Sequence, residues 1–256
     1  MSLNENNLTI VVPCYNEYQR FPTPTFKHYI SSNPAILFCF VNDGSTDDTL
    51  SILNELKNLS PENVLILPLS YNVGKAEAIR FAVNHNKGEK RSAYIAFLDA
   101  DLSTPIGELL RVFSIMKKQN LLLAFGSRVF VFGSNIKRVA LRHYFGRVMA
   151  TMTSLILDLA IYDTQCGIKI FKSDLADQLF FKKFISRWLF DVEIFARIKM
   201  LYGADQLTGI MKEVPLIEWI EKGDSRIKFV DVIKVPYLLM KIKVAYRKNG
   251  RHWPKS

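Results

Sequence analysis

Long hydrophobic runs are missing from this 256-residue chain. None approaches the roughly 18 uninterrupted apolar residues that a membrane-spanning helix needs. The nearest, residues 148–162, is short and carries Asp158. No charged segment followed by an apolar core opens the chain, so no secretory leader is expected, and the protein is expected to be soluble or peripheral to a membrane. Cysteine is scarce. Cys14, Cys39 and Cys166 have no CxxC pairing and no histidines at zinc spacing, which suits reduced thiols in a cytosolic protein. The histidines (His28, His85, His143, His252) form no motif. No GxGxxG follows the first apolar run, which excludes a Rossmann dehydrogenase, and no GxxxxGK[ST] is present, which excludes a Walker-type nucleotide site. Acidic residues are outnumbered, leaving a formal net charge of +10. That excess points to a polyanionic partner: nucleic acid, an anionic membrane surface or phosphorylated small molecules. Basic segments flanked by aromatic RNA-recognition signatures are absent, so a nucleic-acid-binding module ranks low and no nucleic acid is expected.

What is present is an ordinary globular composition, 49% hydrophobic and 23% charged. Residues 8–13 form a short β-branched run that reads as a buried parallel strand, and 35–41, 63–68, 93–98 and 121–125 read likewise. Between them, Asp47 or Asp48 can cap a helix through Leu50, Leu53 and Leu56, residues 74–85 read as helical, and Pro105 opens a helix at its first turn. Strand–helix alternation predicts an α/β domain with a mainly parallel central sheet flanked by helices, and such sheets bind ligands at the carboxyl ends of their strands. The second half is less regular: a long helix or helix pair over 138–162, a loop entering a strand over 163–171, helices over 175–180 and 189–202, a strand over 214–219, and a basic helical stretch over 227–247 interrupted by Pro236. The expected organisation is a body over 1–226 and a basic amphipathic C-terminal appendage over 227–256.

Asp99 and Asp101, two carboxylates at i and i+2 after a buried strand, can converge on one hard cation such as Mg2+ or Mn2+, which takes oxygen ligands and commonly shares them with substrate phosphates. Asn42-Asp43-Gly44-Ser45 closes another strand, where a carboxylate can meet a base or ribose; the same residues also make a simple turn with a helix cap. Gly74-Lys75 before a helix can meet a phosphate through backbone N–H groups and a point charge, or be a plain N-terminal turn with a surface lysine.

Together and in order, Val12-Pro13-Cys14-Tyr15-Asn16-Glu17, Asn42-Asp43-Gly44-Ser45-Thr46-Asp47, Asn72-Val73-Gly74-Lys75 and Asp99-Ala100-Asp101 resemble the motifs of inverting family-two glycosyltransferases with the GT-A fold. Gly126-Ser127-Arg128, Asp163-Thr164-Gln165-Cys166-Gly167-Ile168-Lys169, Arg187-Trp188-Leu189-Phe190-Asp191-Val192-Glu193, and Trp219 with Gly223, Ser225 and Arg226 narrow the likeness to dolichyl-phosphate glucosyltransferases and related polyprenyl-phosphate hexosyltransferases, over roughly residues 8–230. The resemblance implies metal-dependent transfer of a hexose, glucose from UDP-glucose, to a polyprenyl phosphate. It implies that Pro13, Asn16, Glu17 and Asp43 hold the nucleoside, that Lys75 and Asp99 lie at the nucleotide-sugar, and that Asp101, with Asp99, binds the metal. It further implies that Asp163 and Gln165 line donor sugar and acceptor phosphate, that Arg128 faces a phosphate, and that Asp191 and Glu193 form the facing wall. Asp163, Asp101 and Gln165 are the expected catalytic set. The chain departs from the family where Ala76 follows Gly74-Lys75, and where Ile168 replaces the usual phenylalanine. The competing enzyme reading is transfer to a saccharide or other soluble acceptor.

Arg138, Arg142 and Arg147 are spaced for one helical side, among Val139, Leu141, Tyr144, Phe145, Val148 and Met149. They read either as the solvated edge of a packed helix or as an interfacial helix facing anionic lipid and guiding the acceptor phosphate. Lys228, Lys234, Lys241, Lys243, Arg247 and Lys248 repeat the theme. The expected place is the cytoplasm, peripheral at the cytoplasmic membrane face.

Overall fold

The structure, a computed structural model, describes residues 8–88, 92–137, 140–220, 222 and 234–248, with the backbone alone for 88, 137, 140–148, 247 and 248. Its core is a seven-stranded sheet in the order β3-β2-β1-β4-β7-β5-β8. Strands β1 (Leu8–Cys14), β2 (Ile36–Asp43), β3 (Val64–Leu69) and β4 (Tyr94–Phe97) are mutually parallel, as are β5 (Leu123–Ser127) and β8 (Met211–Pro215). Strand β7 (Lys169–Lys172) is antiparallel to both β4 and β5. This is the expected α/β arrangement, a mainly parallel central sheet flanked by helices. A two-stranded parallel ribbon pairs β6 (Asn135–Lys137) with β9 (Glu218–Ile220).

The period-2 alternation of the strands divides the core. Val11, Cys39, Val41, Ile95 and Phe97 point to one face of the sheet, and Ile10, Val12, Phe38, Phe40, Ala96 and Leu98 to the other. The second face is covered by α1 (Thr23–Ser32), α2 (Thr49–Leu59) and α4 (Ile106–Lys118), through Phe26, Ile30, Leu53, Leu56, Ile106 and Leu109. The first carries α3 (Lys75–Gly88), α5 (Ala140–Leu157), α6 (Ser173–Leu179) and α7 (Phe190–Tyr202), with the one-turn α8 (Leu207–Ile210) before β8. The last described helix, α9 (Val235–Lys248), adds Val235, Leu239 and Ile242 to that same apolar cluster.

Three local expectations are corrected. Residues 214–219 do not form one strand: β8 ends at Pro215, whose ring cannot donate to a ladder, and the chain re-enters pairing as β9 in the other sheet. Pro236 does not interrupt the C-terminal helix but sits in its first turn, where no intrahelical N–H is needed. The long helix spans Ala140–Leu157 and stops short of 162, with Asp158 at φ 51 just beyond it. Arg138 lies outside the described residues, as do residues 223–233, and nothing is described of the Arg142 and Arg147 side chains. Among the described residues, no helix is long and apolar enough to cross a membrane.

The order 3-2-1-4 places the reversal of winding between β1 and β4, where an open α/β sheet forms its ligand crevice. The register sets Cys14 beside Asn42, Asp43 beside Leu69 and Val11 beside Phe97. Residues 13–17, 43–45, 72–75 and 99–101 therefore emerge at one edge.

Candidate active site

A cleft of about 480 Å³ opens at that edge, lined by Pro13, Cys14, Tyr15, Glu17, Arg20, Asp43, Asn72, Gly74, Lys75, Asp99, Ala100 and Asp101. Its floor is stitched together by short polar contacts. The Asn16 N–H donates to Ser45 Oγ at 3.1 Å, Thr46 N–H donates to Asn16 Oδ1 at 2.9 Å, and Glu17 N–H donates to Thr49 Oγ1 at 2.8 Å. Gly44 has φ +63, and a Cβ there would stand 2.4 Å from the Tyr71 carbonyl carbon, so only glycine lets the two loops close on each other.

Asp43 is placed differently from a carboxylate held open for a nucleoside. It is 3% exposed, and it accepts from Val73 N–H at 2.7 Å, Gly74 N–H at 2.9 Å and Asn72 Nδ2 at 3.1 Å. Burial pushes its carboxyl upward, opposed by the two backbone donors and by the Arg187 charge. Arg187 closes the same turn from the other side, donating to the Val73 carbonyl at 3.0 Å and the Asn72 carbonyl at 3.2 Å. Residues 72–74 are thus gripped through both their N–H and C=O groups, which fixes the start of α3 and with it Lys75. The sequence names Arg187 within a motif but gives it no role, because its partners lie more than 110 residues away.

Lys75 forms an ion pair with Asp99 and stands 6.0 Å from the ring centres of Phe97 and Phe190. Its side chain is about one-third exposed at the cleft wall; desolvation opposes its charge, but Asp99, Asp191 and Asp101 outweigh it and raise its pKa. Asp101 Oδ1 accepts from Ser103 N–H at 2.8 Å, and the residue lines the cleft. Among the described residues no three His, Cys, Asp or Glu side chains converge on one point. The donor set nevertheless fits a hard divalent cation, because two carboxylates bordering a cleft supply the protein's usual share when phosphates and water provide the rest.

Asp99 also links this cleft to the second half of the chain. A Cβ on Gly167 would come within 2.5 Å of Asp99 Oδ2, so the 163–167 loop passes directly over the acid only because residue 167 is glycine. That loop carries Asp163, whose carboxylate accepts from Arg128 N–H at 2.9 Å, Arg128 Nε at 2.7 Å, Arg128 Nη2 at 2.8 Å and Gln165 N–H at 3.2 Å. The bidentate pair is one-fifth exposed or less on the acid side and lies under Trp219, 5.5 Å from the guanidinium carbon. Glu213, which sequence reasoning missed, anchors the loop by accepting from Tyr162 N–H at 2.9 Å and Asp163 N–H at 2.8 Å. Nothing in its one-residue context within β8 signals this. Gln165 keeps a buried Nε2 with no hydrogen-bond partner among the described residues. Cys166 is buried, and burial pushes its thiol up to about 11, so it is packing.

The facing wall is corrected by burial. Asp191 is 5% exposed and is paired with Lys169 Nζ at 2.6 Å, behind Lys75 and Asp99 rather than on the cleft surface. Burial pushes its carboxyl up against the pull of Lys169 and Lys75. Glu193 is wholly enclosed: it binds Arg197 at 2.7 Å, accepts from Ile185 N–H at 2.8 Å and from the Tyr246 hydroxyl of α9. It does not reach the cleft. Pro13, Asn16, Glu17, Asp43, Lys75, Asp99 and Asp101 are brought together, and Arg128, Asp163 and Gln165 adjoin them through Gly167.

Residues 9–180 match the family model described as Glycosyl transferase family 2. A Trichomonas vaginalis protein named dolichyl-phosphate beta-glucosyltransferase ALG5C is 31% identical, over 96% of this chain and 73% of its own length. The human dolichyl-phosphate beta-glucosyltransferase is 29% identical over 84% of this chain and 72% of its own. The fold is shared with Mycobacterium tuberculosis glucosyl-3-phosphoglycerate synthase in complex with Mn2+, UDP-glucose and phosphoglyceric acid, at a TM-score of 0.63 and 16% identity, covering 93% of this chain and 80% of that one.

Proposed function

The chain belongs to glycosyl transferase family 2, and from that premise we propose that it is a glycosyltransferase that moves glucose, with inversion, from UDP-glucose to a polyprenyl phosphate. The relatives named dolichyl-phosphate beta-glucosyltransferase support the donor sugar and the acceptor. The observation that carries the reading is the adjacency of two differently charged halves of one site, the Lys75–Asp99–Asp101 edge and the Arg128–Asp163 pair, joined where Gly167 crosses Asp99.

In this reading the nucleotide lies over Pro13–Glu17 and the 72–74 turn, and the diphosphate lies toward Lys75. Asp101 and Asp99 would hold a Mg2+ or Mn2+ ion, which supplies charge stabilisation for the departing diphosphate when bound. An oxygen of the acceptor phosphate attacks the anomeric carbon from the face opposite UDP; the new O–C bond forms as the bond to the diphosphate oxygen breaks, and UDP leaves with that electron pair. A phosphate acceptor is already ionised, so no general base is required. Asp163 suits that chemistry, since its oxygens are occupied by Arg128 and the Gln165 N–H. It orients the guanidinium, and the unpartnered Gln165 amide is a donor for a phosphate or sugar oxygen. The catalytic body includes the last described helix, which is no separate appendage: Val235, Leu239 and Ile242 pack into the main apolar cluster, and Tyr246 donates to Glu193. The protein works against the cytoplasmic face of a membrane.

Calorimetric competition tests the donor: UDP should bind well ahead of GDP, and GDP binding more tightly would overturn the base assignment. Arg187→Ala, which frees the carbonyls of residues 72 and 73 on the exposed side of the turn, should weaken UDP binding about tenfold, since a hydrogen bond from a charged group is worth about 1.5–3 kcal/mol before solvent discounts it. The melting temperature should hold. Unchanged UDP affinity would show that the Arg187 side of the clamp is dispensable.

A further inference from the structure

The turn between β5 and β6 presents apolar side chains to water in a way that a folded chain normally avoids. Phe130 is 69% exposed, Val131 43% and Phe132 103%. The turn is built, not loose: Ser134 N–H and Ser134 Oγ donate to the Val131 carbonyl at 2.9 and 2.7 Å, Val131 N–H returns to Ser134 Oγ at 3.2 Å, and Gly133 takes φ +86 to complete it. This scaffold holds Phe132 outward, where burial would normally be favoured. Two further exposed apolar residues attach at the same rim. Tyr162, 65% exposed, precedes Asp163, which Arg128 grips two residues before Phe130. Ile217, 53% exposed, lends its carbonyl to Asn135 N–H at the foot of the turn. The sequence adds charge of one sign: between residues 128 and 157 lie Arg128, Lys137, Arg138, Arg142 and Arg147, with no aspartate or glutamate. A second copy of this chain would also carry +10, so like charge opposes self-association. An anionic lipid surface offers the complement, with an apolar layer beneath its headgroups for the aromatic rings.

We propose that the Phe130–Val131–Phe132 turn, with Tyr162 and Ile217, is the surface by which this protein docks on an anionic lipid bilayer, setting the Arg128–Asp163 pair at the headgroup level. The inference rests on the polyprenyl-phosphate reading for its purpose but not for its measurement. A phosphate on a lipid tail stays at the headgroup layer, and a turn that enters that layer from the end of β5, where Arg128 follows, brings the site to it. The membrane contact thereby lies in an aromatic turn beside the site, and not in the basic helices alone.

The test uses the full chain and vesicles of phosphatidylcholine with or without phosphatidylglycerol, free of any prenyl phosphate. The wild type should sediment with the anionic vesicles. The double variant F130S/F132S should lose about tenfold or more in partitioning, as expected for withdrawing two phenylalanine rings from an apolar layer, with UDP binding and melting temperature unchanged. Wild-type and variant partitioning that agree, or a wild-type dimer in sedimentation velocity that the variant abolishes, would overturn the proposal. Transfer to a short-chain prenyl phosphate in solution is measured beside it. Loop-dependent vesicle binding without any such transfer would sustain the docking surface and defeat the acceptor reading. Transfer with loop-independent vesicle binding would do the reverse.

Discussion

Asp101→Asn should lower turnover by two to three orders of magnitude, the scale of removing one electrostatic contact to charge that develops in a transition state (about 100- to 1,000-fold). The substitution is close to isosteric. An asparagine Oδ1 can still accept from Ser103 N–H, now at 2.8 Å, so the turn after β4 persists. What disappears is one negative charge bordering the cleft, where a divalent cation would sit beside the diphosphate. Asp99 is a poorer probe, since removing its charge would also release Lys75 and disturb the crossing at Gly167. Melting temperature and UDP-free folding should match the wild type. Turnover within about twofold of wild type, a difference of only a few tenths of a kcal/mol, or full activity in excess EDTA, would contradict the role given to this acid.

Glu193→Ala should cost about 3–5 kcal/mol of stability, the range for breaking a buried ion pair from one side. For a chain of this size that is roughly 10 °C in melting temperature. The loss follows from what remains behind. Arg197 is fully buried and would keep its charge without its carboxylate, although the carbonyls of Lys182 and Lys183, at 2.9 and 2.8 Å, would still accept from it. Ile185 N–H and the Tyr246 hydroxyl would both lose their acceptor. Tyr246 sits on α9, so hydrogen exchange should rise first in that helix and in residues 180–185. Thermal and denaturant unfolding separate this from a role in acceptor binding: an unchanged melting temperature with a selective loss of transfer would return Glu193 to the site.

Glu193 also illustrates where the sequence is silent. Asp191 and Glu193 belong to one motif, and both are acids near the start of α7, yet one lies just behind the site and the other is wholly enclosed. The difference lies in their partners: Lys169 at the start of β7, and Arg197 with Tyr246 of the last helix. No local pattern encodes that choice. By contrast, residues 13–17, 42–45, 72–75 and 99–101 were legible because each closes a strand or opens a helix, and a parallel sheet carries such positions to one edge whatever lies between them. A strand entered from the 163–171 loop was legible, but its antiparallel pairing with β4 and β5 and the β6–β9 ribbon were not, since three- and four-residue strands are specified by distant neighbours rather than by their own periodicity. Asp43 shows a subtler limit. Its position at the end of β2 was readable, but its commitment to the 72–74 backbone was not.

The most direct test of the central claim is transfer itself. The purified chain, given UDP-[14C]glucose, Mn2+ and a short-chain polyprenyl phosphate in detergent, should yield a labelled glucosyl phosphate extracting into organic solvent, with the anomeric configuration inverted relative to the donor and with UDP released in equal amount. Efficient transfer to a soluble saccharide, with none to the prenyl phosphate, would contradict it.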